Sequence, residues 1–117
     1  WDYSRFAQML LRGGEVDGRR YLTAETVAEM TKARTGELSP AFVQGTFYGL
    51  GCAVIRDPGG PTAALNAGSF GHGGVFGTQA WIDPVKGRYY ILMVQRSNLG
   101  NGDASDLRRF FQDAAAK

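Results

Sequence analysis

Two apolar segments separated by a short turn, residues 77–83 and 88–95, leave the second half of this chain little choice but to fold back on itself. Between them, Asp83-Pro84-Val85-Lys86-Gly87 places Pro early and Gly late, which suits a tight reversal and neither strand's continuation. An antiparallel hairpin is expected. Because Tyr90-Ile91-Leu92-Met93-Val94 is apolar without a break, the second strand is expected to be buried on both faces, central in its sheet and covered by helices. Upstream, residues 47–55 read as one apolar strand stopped by Asp57-Pro58-Gly59-Gly60-Pro61, and residues 69–72 as another.

The flanking sequence is helical. Tyr3, Phe6, Ala7 and Leu10 share one face of a helix over residues 2–12 that stops at Gly13-Gly14. Thr23 can cap a second helix reaching about residue 33, with Ala24, Val27, Ala28 and Thr31 on one face. Residues 34–46 have no sustained period and read as an irregular connection. At the end, Asp103 or Ser105 caps a helix whose packing face is expected to carry Leu107, Phe110, Phe111, Ala114 and Ala115. This order predicts an α+β fold: an antiparallel sheet of three to four strands flanked by helices. Residues 1–117 form one unit, with helices and a connecting loop over 1–46 and strands plus the terminal helix over 47–117.

Charge and composition narrow the chemistry. Thirteen Lys plus Arg against eleven Asp plus Glu leave a formal charge of +2, too small to imply nucleic acid. One Cys and one His exclude an internal disulfide and a zinc site built from Cys and His, so neither metal nor cofactor is expected. The longest apolar run is far short of the ~20 residues that span a bilayer, so no membrane span is expected. Any signal would precede Trp1, which leaves the compartment open.

Seventeen glycines are well above the average share, and five fall within residues 68–77 around the only histidine. Such a strand lets a backbone approach a ligand without Cβ interference, and its free N–H groups can hold an oxyanion or a carboxylate. Alternatively, the glycines serve a bent or bulged strand packed closely by a neighbour, with His72 an ordinary residue. Ser69 sits in an approximate G-x-S-x-G pattern, but more glycines follow where that motif needs a helix. Gly71, Gly73 and Gly77 do not match G-x-G-x-x-G. Asp57, Asp83 and Asp103 fall in turns, where Asp is favoured for backbone reasons. Cys52 reads as a buried structural thiol, and Trp81, Tyr89 and Tyr90 read as packing residues.

Four stretches in order carry a resemblance. The helix pair over 2–31, Tyr48-Gly49-Leu50-Gly51, Gly71-His72-Gly73-Gly74-Val75-Phe76-Gly77-Thr78, and Ala80-Trp81-Ile82-Asp83-Pro84 with Ile91-Leu92-Met93-Val94-Gln95 together resemble the C-terminal part of the serine β-lactamase and penicillin-binding-protein-like family, in its class C β-lactamase and esterase branch. The resemblance implies acyl transfer from a β-lactam, ester or peptide through an acyl-enzyme on an activated Ser. It places His72, Gly73 and Gly74 in the third active-site motif, lining the substrate site, and gives Val75 the second oxyanion N–H.

The departures define what this chain would lack. No Ser is followed three residues later by Lys, and no Tyr is followed two residues later by Asn, so the nucleophile motif and the second motif are both missing. The family's first strands and nucleophile-bearing helices would lie before Trp1, making 1–117 a partial domain, roughly the last third of a family member. The chain is therefore expected to be inactive alone, with the nucleophile supplied by a missing segment or a complementing chain. The alternative is a non-catalytic module that binds a small acyl or carboxylate ligand or associates with itself. Without the family's initial strands, the strand over 88–95 would expose an unpaired edge, so a dimer or higher oligomer is expected.

Overall fold

The computed structural model describes residues 1–36, 38, 43–98, 100 and 102–117. Helix α1 (Asp2–Leu11) buries Ala7, Met9 and Leu10. Past its end, Gly14 adopts a left-handed φ of 97° and lies so close to the Leu22 carbonyl that no side chain would fit. A small ribbon follows, β1 (Glu15–Val16) and β2 (Arg19–Arg20), closed by Asp17 and Gly18. Both turn residues have positive φ, 54° and 73°, the conformation a two-residue hairpin turn requires.

Thr23 caps α2 (Ala24–Met30) as expected, its Oγ1 accepting from Thr26 N–H at 3.1 Å. The helix stops short of residue 33. Leu50 N–H donates to the Met30 carbonyl at 2.9 Å and Thr31 Oγ1 donates to the Val27 carbonyl at 2.9 Å, so its last carbonyls are taken by a loop and a side chain. Only Val27 is buried on α2, and Ala24 and Ala28 are exposed.

The main sheet has five antiparallel strands in the order β3-β4-β5-β6-β7, more than the three to four expected. They are β3 (Thr46–Tyr48), β4 (Ala53–Ile55), β5 (Phe70–Gly73), β6 (Gln79–Asp83) and β7 (Arg88–Leu92). The surplus comes from residues 47–55, which form two strands and not one. Gly51, at φ 80°, turns the chain, and Gly49 is pressed against the Met30 carbonyl where a Cβ would collide.

The β6–β7 hairpin forms where expected, with Asp83 opposite Arg88. Buried Asp83 holds its turn: Oδ1 accepts from Val85 N–H at 3.0 Å and Lys86 N–H at 3.1 Å, and Oδ2 accepts from Asn66 Nδ2 at 2.9 Å. The central position expected of the second strand is not observed. β7 is an edge strand that ends at Leu92, burying only Tyr90 while Met93 is exposed. An uninterrupted apolar run records the demand for burial but not which neighbour meets it.

Helices cover both faces. Val54, Phe70 and Ile82 pack with α1 and Val27 on one side, and Ala53, Ile55, Trp81 and Tyr90 pack with Leu65 and Ala116 on the other. This second side is covered by α3 (Asp106–Ala115), capped by Ser105, whose Oγ accepts from Arg108 N–H at 3.3 Å. Its inward face differs from the expected one. Arg108 and Gln112 are buried with Phe111 partly so, while Phe110, Ala114 and Ala115 are exposed. A polar pair thus occupies the positions facing Trp81, and aliphatic periodicity alone misassigned the helix face.

Candidate active site

The glycine-rich strand β5 is internal to the sheet, but its second half reaches beyond its neighbour. β4 pairs with it only at Phe70 and Gly71, whereas β6 pairs along its whole length from Phe70 to Gly73. On the β4 side, the backbone from His72 onward is therefore past the ladder. Gly71 is a close-approach position, since a Cβ there would overlap the Ala80 carbonyl. The strand ends in a tight turn, with Gly77 N–H donating to the Gly74 carbonyl at 2.9 Å and Gly74 N–H donating to the Thr78 carbonyl at 2.7 Å.

Val75 stands at the corner of this turn, 75% exposed. Its N–H has no hydrogen-bond partner among the described residues. His72, Gly73, Gly74 and Val75 thus line a cleft of about 440 Å³ together with Gly100, Gly102 and Asp103.

His72 is exposed, and both of its ring nitrogens have a neighbour. Nδ1 lies 2.6 Å from the Gly73 carbonyl, which can only accept, so Nδ1 carries the proton. Nε2 lies 3.3 Å from the Tyr48 hydroxyl, within hydrogen-bond reach. The two rings meet at a tilt of 45° with centroids 5.9 Å apart. Burial, with the Asp103 charge adding to it, pushes the Tyr48 hydroxyl above its ordinary range.

Two residues of this site were missed in the sequence. Tyr48 lies within Tyr48-Gly49-Leu50-Gly51, and its partnership with His72 could have been sought there. Asp103 was read as a turn or cap residue, and nothing local signals that it reaches Gly73.

Other candidates lie apart. Ser69 is fully buried at the entrance to β5, so its hydroxyl cannot meet a substrate. Cys52 is half-buried in the β3–β4 turn, its thiol donating to the Met30 carbonyl at 3.5 Å, and burial pushes its pKa up. No group of three His, Cys, Asp or Glu that could hold a metal occurs among the described residues, and no helix there is long and apolar enough to cross a membrane.

The model of the family described as Beta-lactamase matches residues 1–115. The chain belongs to the beta-lactamase family. Two curated Mycobacterium tuberculosis proteins, the uncharacterized protein MT1414 of strain CDC 1551 / Oshkosh and protein Rv1367c of strain H37Rv, are 32% identical to it over 104 residues, covering 80% of this chain and 26% of each of theirs. The chain therefore spans about a quarter of the length of the curated relatives it matches.

Solved structures agree on the fold of this family member. EstCE1, described as a hydrolase with promiscuous acyltransferase activity, superposes with a TM-score of 0.67 at 24% identity, over 94% of this chain and 27% of that one. A penicillin-binding protein homolog from Caulobacter crescentus gives a TM-score of 0.59 at 23% identity, over 96% and 30%. The α+β architecture is thus that of β-lactamase and penicillin-binding-protein folds.

Proposed function

We propose that this chain acts as the C-terminal part of a β-lactamase-like serine hydrolase, supplying the third active-site motif and one oxyanion donor but not the nucleophile. The Val75 N–H, without a hydrogen-bond partner among the described residues and two residues past a strand that runs beyond its neighbour, carries this reading. A Ser Oγ from a separate segment passes its proton to a base on that segment as it adds to the carbonyl carbon of an ester, β-lactam or peptide, and the carbonyl π pair moves onto oxygen. That oxyanion receives the N–H of Val75 and the N–H of the nucleophile's own residue. Collapse expels the alcohol or amine, which takes up a proton. Water then adds to the acyl-enzyme, releasing the acid and restoring the Ser hydroxyl.

His72, Gly73 and Gly74 bind substrate in this scheme. The glycines admit its backbone or ring, and the His72 imidazole, held by Gly73 and Tyr48, lines the site beside them. Mixing the chain with a Ser-x-x-Lys-bearing segment of a relative and assaying nitrocefin or a p-nitrophenyl ester tests the assignment. Hydrolysis in the mixture and not with either component is expected; absence of hydrolysis in every combination would overturn it. The open edge of β7 supports association with such a segment, or with a second copy when none is present.

A further inference from the structure

We propose that Arg108 is a positioning residue for the His72-Gly73-Gly74 wall and its Val75 donor, acting through a buried relay of polar side chains; the inference rests on the hydrolase reading above. Arg108 is 1% exposed in the first turn of α3. Burying a guanidinium is costly unless its donors and its face are used, and an aliphatic side chain would fill the same space without that cost. Here both are used. The guanidinium stacks on Trp81, 3.9 Å from the ring centroid. Its Nη1 donates to the Asp103 backbone carbonyl at 3.0 Å and lies 3.9 Å from the Asp103 carboxylate. With the Gln112 amide oriented to satisfy both its ends, Arg108 Nε donates to the Gln112 oxygen at 3.1 Å, and the Gln112 nitrogen donates to the Pro61 carbonyl at 2.7 Å.

From Trp81 the relay returns to the cleft. The indole Nε1 donates to Gln79 Oε1 at 2.8 Å, and Gln79 Nε2 donates to the Gly102 carbonyl at 3.3 Å. Gln79 and Trp81 are the β6 partners of Gly73 and Gly71. A Cβ at Gly73 would overlap Asp103 Oδ1 and come within 2.7 Å of Gln79 Nε2, so the cleft wall rests directly on the two groups the relay fixes. Arg108 holds Asp103 from behind, Trp81 and Gln79 hold Gly102, and Gly73 takes its place from both. No part of Arg108 lines the cleft.

Amide exchange and catalysis together test this. In the ¹⁵N-labelled chain, Arg108→Met keeps the aliphatic stem and removes the charge, the stack and the donors. Exchange at Gly74, whose N–H is held by Thr78, is expected to quicken about tenfold beyond any change at Ala7, Leu10 and Val27, and the Trp81 indole resonance to move. Arg108→Lys, which keeps a charge and a donor but not the planar stack, is expected to fall between. In the complementation assay, Arg108→Met is expected to lower kcat about tenfold or more with KM little changed, as slight misplacement of a donor does. Equal changes at Gly74 and α1, or an unaltered kcat, would overturn the positioning role. Should Arg108→Met fail to fold, Gln79→Met breaks the relay at its other end and is read the same way. No hydrolysis with the wild-type chain would instead overturn the site assignment, while Gly74 exchange would still report the coupling.

Discussion

At the scale of single residues, the glycines of β5 divide by what touches them. Gly71 is fixed by backbone, because its missing side chain makes room for the Ala80 carbonyl. Gly71→Ala is therefore expected to cost about 1–3 kcal/mol, seen as a lower urea midpoint. Val75→Ala, at an exposed corner, is expected to change stability by less than about 0.5 kcal/mol. Cys52 gives a signed pH dependence. Burial raises its pKa in the folded state above the ordinary 9.0, so the folded form disfavours the thiolate. The stability this contributes is complete below pH 9 and is lost as pH rises through the folded pKa. Urea midpoints measured from pH 7.5 upward should fall more steeply above pH 9 for the wild type than for Cys52→Ala; parallel curves would contradict the assignment. Tyr48 and Tyr90, also raised by burial, act with the same sign from about pH 10 in both proteins.

Secondary-structure elements were legible wherever punctuation and period agreed. Gly13-Gly14, Thr23, the Asp83–Gly87 turn and Ser105 each end or begin an element where local chemistry places it. Ser105 does more than cap: its Oγ accepts from Arg108 N–H and donates to the Gly102 carbonyl at 2.7 Å. Ser105→Ala is expected to cost about 1 kcal/mol and to quicken exchange at Gly74, measurable in one exchange experiment. What stayed hidden was tertiary. The split of 47–55 depends on Gly49 meeting a carbonyl of α2, the edge position of β7 depends on strand order, and the inward face of α3 depends on Trp81 offering a ring to a cation. The site shows the same division. His72 to Val75 could be found from the glycine cluster, whereas Tyr48, 24 positions before His72, and Asp103, 30 positions after Gly73, join it only through folding.

For the whole molecule, the described residues form a five-stranded sheet with β7 at one edge and the cleft at the end of β5. Among the described residues β7 pairs only with β6, and Ile91 and Leu92 are half-buried; open edges of this kind recruit strands. Sedimentation at micromolar concentration is expected to show a dimer or larger species; a monomer at all concentrations would contradict it. The deeper claim is that the Val75 N–H stabilises an oxyanion generated by a nucleophile from elsewhere. The most direct measurement is p-nitrophenyl ester hydrolysis by the chain combined with a Ser-x-x-Lys segment, comparing wild type with Val75→Pro, which deletes that one N–H. A loss in kcat on the order of 10²-fold is predicted, the usual effect of removing one oxyanion donor, with circular dichroism unchanged. A Val75→Pro combination that retains the full rate would contradict the account.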